Sequence, residues 1–140
     1  FDNVMKNRSL YEIIPVGASN EISAGAFVGT ATVVVDDWAD YAVGASIPIE
    51  AGSNPYEFYI RSTNNPYIDN PDTSYMIVTI DPLTGNATVT SNEDFEYGCS
   101  EGDVTGSGTV NACAGTIDLV LSFGLGNCGV YADQAFSLQL

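Results

Sequence analysis

The 140-residue sequence contains no histidine, and only three lysines and arginines stand against 18 aspartates and glutamates. Without histidine there is no Ser-His-Asp or Cys-His nucleophile system, no imidazole general base and none of the usual histidine-ligated zinc or iron sites. A net charge of −15 with so few cations excludes nucleic-acid binding through phosphates, which takes a cluster of Lys and Arg. The same shortage argues against docking on an anionic membrane surface. No apolar run approaches the ~20 residues of a membrane helix, so direct membrane insertion is not expected. The chain opens at Phe1 without an initiator Met, a basic leader or an apolar leader segment, and is therefore expected to be a mature or trimmed product. Scarce Lys beside plentiful Gly, Thr, Asn and Asp suits an exported protein. An extracytoplasmic home, at a cell surface or secreted, is expected.

What is present is enough to fold. Hydrophobic residues make up 45% of the chain, and the length suits one domain with a real core. The patterning has period 2 almost throughout, and no segment reads as a long amphipathic helix. In Tyr75–Ile80, Met76, Val78 and Ile80 form one apolar face. Asp81-Pro82-Leu83-Thr84-Gly85 then supplies turn chemistry, with a bulge expected at Gly85, and Asn86–Thr90 returns. A second hairpin runs from Gly108 through Cys113-Ala114-Gly115 into Thr116–Phe123, where Ile117, Leu119, Leu121 and Phe123 share a face. The last strand turns Phe136, Leu138 and Leu140 inward. The N-terminal half is β but less regular: Thr30–Val35, a stretch around Ile47 and Ile49, and Tyr56–Arg61, with Tyr56, Phe58 and Ile60 on one face. Pro48 lacks an N–H and marks its strand as an edge or an interruption. The expected fold is an all-β antiparallel meander closing into a barrel or sandwich of about seven to nine strands. Residues 1–140 form one domain, with 26–140 the main body. Residues 1–25 read as an N-terminal extension or exchanged strand, and 17–26 as a small, polar linker.

Strand order discriminates among the pairings of Cys99, Cys113 and Cys128. In an up-and-down meander Cys99 and Cys128 fall in loops at one end and Cys113 in a tight turn at the other. Strands of six or seven residues hold those ends ~20 Å apart, whereas a disulfide needs Cα atoms within about 7 Å. A Cys99–Cys128 bridge with Cys113 free is expected.

The acids cluster in loops, and their commonest role is to keep the surface hydrated. If calcium binds, the Asp36-Asp37-Trp38-Ala39-Asp40 turn is the best candidate, through Asp36, Asp37 and Asp40, although its spacing matches no EF-hand. No other cofactor is implied. Glycoside hydrolysis would need two facing carboxyls, one of them with a raised pKa, and nothing marks such a pair. Glu57 and Arg61, two pleats apart, read as an ion pair. Among the aromatics, Tyr41, Tyr67, Tyr97 and Tyr131 lie in loops. Trp38 and Tyr41 flank a turn and are the best candidates for a stacking platform that contacts a ligand.

The strings Gly29-Thr30-Ala31-Thr32-Val33-Val34-Val35-Asp36-Asp37-Trp38-Ala39-Asp40-Tyr41, Tyr75–Gly85 and Gly106–Leu119 together resemble the C-terminal β-domain of uncharacterised surface lipoproteins from the Bacteroidota phylum. The resemblance spans about residues 26–140. It implies a position outside the outer membrane, often beside glycan-uptake systems, and carries over no catalytic residue. The expected role is a non-enzymatic cell-surface accessory or binding domain whose partner is a glycan or a neighbouring outer-membrane protein. The alternative is a structural subunit of a β-rich pilus or matrix fibre. It would self-assemble by passing residues 1–16 to an edge strand of the next copy.

Overall fold

The computed structural model describes residues 21–140. Eight antiparallel strands, β1 (Gly29–Asp36), β2 (Ser46–Ala51), β3 (Glu57–Arg61), β4 (Tyr75–Ile80), β5 (Asn86–Ser91), β6 (Asp103–Asn111), β7 (Thr116–Gly124) and β8 (Val130–Gln139), follow one another around a closed barrel. β1 pairs with β8, so each strand has a neighbour on both sides. The expected meander is therefore a barrel. β6 and β8 each begin several residues earlier than hydrophobic alternation alone suggests.

Alternation sends the apolar side chains inward. Phe58, Val78, Val89, Ile117, Leu119, Leu121, Phe123, Phe136 and Leu138 are buried, and the interior is packed with side chains rather than hollow. The outward row is largely hydroxylic or charged: Thr30, Thr32, Glu50, Thr79, Thr88, Thr90, Thr105, Ser107, Thr109 and Asp118 are exposed. No helix among the described residues is long and apolar enough to cross a membrane.

In β6, Gly106 and Gly108 stand opposite Leu121 and Leu119. A Cβ on Gly108 would lie 2.0 Å from the Asp118 carbonyl oxygen, so β7 approaches here only because side chains are missing. Pro48 occupies no edge. It pairs with Thr30, just before the β2–β3 pairing begins at Ile49.

The barrel has two unlike ends. Turns 52–56, 81–85 and 112–115 lie at the hairpin end, and the loops 37–45, 62–74, 92–102 and 125–129 at the loop end. Gly85 takes φ +78, as its turn requires, and its N–H donates to the Asp81 carbonyl. The stretch expected as a linker is instead docked over residues 21–26. Ala24–Phe27 forms a short 3-10 turn, Ser23 accepts from the Gly25 N–H, and Ile22 and Ala24 donate to the carbonyls of Pro82 and Pro55. Phe27 is fully buried and stacks on Phe58 at 5.4 Å, plugging the barrel. The strand-exchange segment 1–16 lies outside the described residues. Leu140 and Tyr56, both expected to face inward, are 40% and 41% exposed because each sits beyond its strand at the hairpin end.

Candidate functional site

At the loop end every connection lowers an apolar side chain into the barrel mouth: Tyr41, Ile68, Phe95 and Leu125 are all buried. Asn70 clamps two loops together. Its Nδ2 donates to Glu93 Oε2 at 2.7 Å and to the Asp94 carbonyl, and its Oδ1 accepts from the Glu96 N–H. Cys99 and Cys128 are joined in a disulfide with Cα atoms 5.7 Å apart, and Cys113 is a free, exposed thiol in the β6–β7 turn. Beside the bridge, Ser100 and Asn127 exchange hydrogen bonds of 2.7 and 2.8 Å. Such a disulfide belongs to an oxidising, extracytoplasmic environment.

The Asp36–Tyr41 turn shapes the site. Asp36 accepts from the Ala39 N–H at 3.1 Å and from the Tyr41 N–H at 3.0 Å. These bonds hold Ala39 at φ +66, a conformation that residues with a Cβ seldom adopt. The tight reversal brings both flanking side chains, Trp38 and Asp40, to one depression. It is open, has a volume of about 220 Å³, and is lined by Trp38, Ala39, Asp40, Tyr67 and Tyr97. That is smaller than the ~300–1,000 Å³ of sites for drug-sized ligands, and suits a single ring or a compact head group.

Trp38 packs flat on Phe123, with centroids 4.4 Å apart, and meets Tyr97 edge-on at 6.0 Å. Its Nε1 donates to the Tyr97 hydroxyl at 3.2 Å. That hydroxyl donates in turn to Asp40 Oδ2, which also accepts from Asn65 Nδ2 at 2.7 Å. Asn65 is itself fixed, because its Oδ1 accepts from the Tyr67 N–H. Three loops thus converge on one carboxylate. Burial raises the Asp40 pKa to about 6, with Asp36 adding to the rise and the bonds from Tyr97 and Asn65 opposing it. Burial likewise raises Asp36, against its turn amides, and pushes the Tyr41 and Tyr97 hydroxyls well above the usual phenol range.

Several sequence expectations change here. Tyr41 is 7% exposed and packed toward Phe136, so its ring offers no stacking face. Trp38 is half-buried and does line the depression. Asp36, Asp37 and Asp40 do not converge on a cation site. Asp36 serves its own turn, Asp37 accepts from the Ala135 N–H across the β1–β8 seam, and Asp40 turns to Asn65 and Tyr97. Among the described residues no group of three acids, cysteines or histidines is arranged to hold a metal. Glu57 and Arg61 do not pair. Glu57 accepts from Ser53, while Arg61 lies 4.0 Å from Glu50 and donates to the Asp72 carbonyl.

Tyr67, Tyr97 and Asn65 are the site residues that hydrophobic patterning missed. The signal was nevertheless present: loops 62–74 and 92–102 lie at the same end of an up-and-down meander as loop 37–45. No protein-family model, no curated protein and no solved structure matches this chain.

Proposed function

We propose that the protein is a non-enzymatic, extracellular binding module of a cell surface, which takes a glycan in the loop-end depression. One observation carries this reading: Trp38, Tyr67 and Tyr97 gather with a carboxylate around an open hollow of single-ring size. Aromatic faces stack on the apolar faces of sugars, and a fixed acceptor such as Asp40 orients hydroxyls. The packed barrel interior leaves the loop end as the place where chemistry gathers. A binding role rather than hydrolysis is supported by the nearest second acid, Asp36, which spends both oxygens on backbone amides. The hydroxylic outer row supports a water-facing barrel, since a transmembrane barrel turns an apolar band outward. A surface location is part of the proposal and rests on the sequence resemblance alone, which no matching family model or curated protein supports. The fibre alternative has less support, because a closed sheet leaves a donated strand no edge to join.

Calorimetric titration against a panel of soluble oligosaccharides tests the reading. Tyr67 is the residue to vary, because it is 63% exposed and its loss removes a ring without opening the core. Tyr67→Ala is expected to weaken the best ligand about tenfold. Absence of binding across the panel, or a ligand indifferent to Tyr67, would overturn it.

A further inference from the structure

Asp40 is only 9% exposed, yet it lines the depression. Its Oδ2 takes both available hydrogen bonds, from Asn65 and Tyr97, and its Oδ1 takes none from any described residue. Oδ1 is thus the carboxylate oxygen left to face the hollow, where a ligand that brings a donor can bond to it. The other walls favour the same sign. Aromatic faces carry negative potential and attract cations, and three of the five lining residues are aromatic, although Trp38 has one face on Phe123. Among the described residues no Lys or Arg lines the hollow, and Arg61 is engaged by Glu50, the Asp72 carbonyl and the Tyr75 ring. Asp36, on the same turn, adds negative potential at Asp40.

Resting on the glycan reading above, we propose that the group seated against Asp40 is a cation, the protonated amine of an amino sugar. A hard divalent ion would need six to eight oxygen ligands, and among the described residues only one carboxylate lines the hollow. A protonated amine carries one charge and three N–H donors: Asp40 Oδ1 can take one, and the aromatic walls and water on the open side can meet the others. A cation seated there would favour the ionised form of Asp40, which burial disfavours.

The test uses three probes: a glucosamine tetramer, its fully N-acetylated counterpart, and choline chloride. Titrations are run at ~1 M salt, where screening within about 3 Å suppresses general attraction to the acidic surface. The free-amine tetramer is expected to bind about tenfold or more tightly than the acetylated one, and Asp40→Asn to abolish that ratio. Melting curves confirm that Asp40→Asn folds. Tyr67→Leu gives an independent check by removing only a rim ring, and should also lower affinity for the amine. Equal binding of both tetramers, unchanged in Asp40→Asn, would overturn the cation and leave the glycan reading standing. Choline binding as tightly as the amino sugar would support the cation and overturn the glycan. No binding by any probe would overturn the cation, and the wider oligosaccharide panel then decides the glycan reading separately.

Discussion

At the hairpin end, short turns and one inserted phenylalanine, Phe27, close the barrel with backbone bonds and apolar contact. At the loop end, three longer connections and the short 125–129 loop lower one apolar side chain each and then tie themselves together with Asn70, Asp40 and a disulfide. The first closure is apolar and local in chemistry. The second places polar groups at the margin of the core, where a hydrogen-bond partner or a cross-link has to hold each loop. Polar groups held this way are the ones able to meet a ligand. The difference separates the end of the molecule that is only packed from the end where the proposed binding would take place.

That separation can be broken in order of effect. Phe27→Ala empties the hairpin plug and should cost about 3–5 kcal/mol in denaturant unfolding while leaving oligosaccharide affinity of the folded protein unchanged. A parallel loss of affinity would mean the two ends are coupled through the barrel. Replacing Cys99 and Cys128 by Ser opens a closed loop with a sequence separation of 29 residues and should cost about 3–4 kcal/mol. Alkylation of the native protein without reductant should label Cys113 alone. Three labelled cysteines would remove the cross-link from the loop end.

A smaller effect is expected from pH. Asp40 holds its proton more tightly folded, with a pKa of about 6, than at its ordinary value of 3.8. Its contribution is therefore fully present below about pH 4 and is lost as pH rises through 6. Asp36 is shifted the same way, whereas the Tyr41 and Tyr97 hydroxyls remain protonated across this window. The melting temperature should fall between pH 4 and 7, and less steeply in Asp40→Asn. Identical slopes would show that Asp40 is better hydrated than its burial indicates. The smallest effect belongs to Tyr67→Ala, which should change stability by under about 0.5 kcal/mol. A larger loss would make the rim part of the core.

Strict alternation made the inward faces of β4, β5, β7 and β8 legible, because one buried face and one wet face leave a period of two. Parity of the strands made the disulfide legible for the same reason. Parity also brings the loops of Tyr67 and Tyr97 to the end that carries Trp38, whereas Tyr41 is nearer to Trp38 only in sequence. What no pattern revealed was which way each loop side chain turns. Tyr41 turns inward because the amides of Ala39 and Tyr41 close on Asp36, a local geometry without periodicity. Docking of residues 21–26 was hidden because small polar residues resemble a linker until Pro55 and Pro82 supply their carbonyls. Gly106 and Gly108 carried a readable sign of close backbone approach, since glycine weakens a strand unless something must come near it.

Closure of β1 on β8 also fixes where the chain enters and leaves. Ile22 is held by Pro82, and the Leu140 N–H donates to the Gly115 carbonyl, so both lie at the hairpin end with Cys113. β6 has nine residues at ~3.3 Å each, and a tilt of about 40° leaves a height of roughly 20–25 Å. The barrel is thus a rigid spacer. A tether attached to either end of the described chain, or a bead coupled through the Cys113 thiol, would hold the molecule by its foot and present the aromatic hollow outward at that distance.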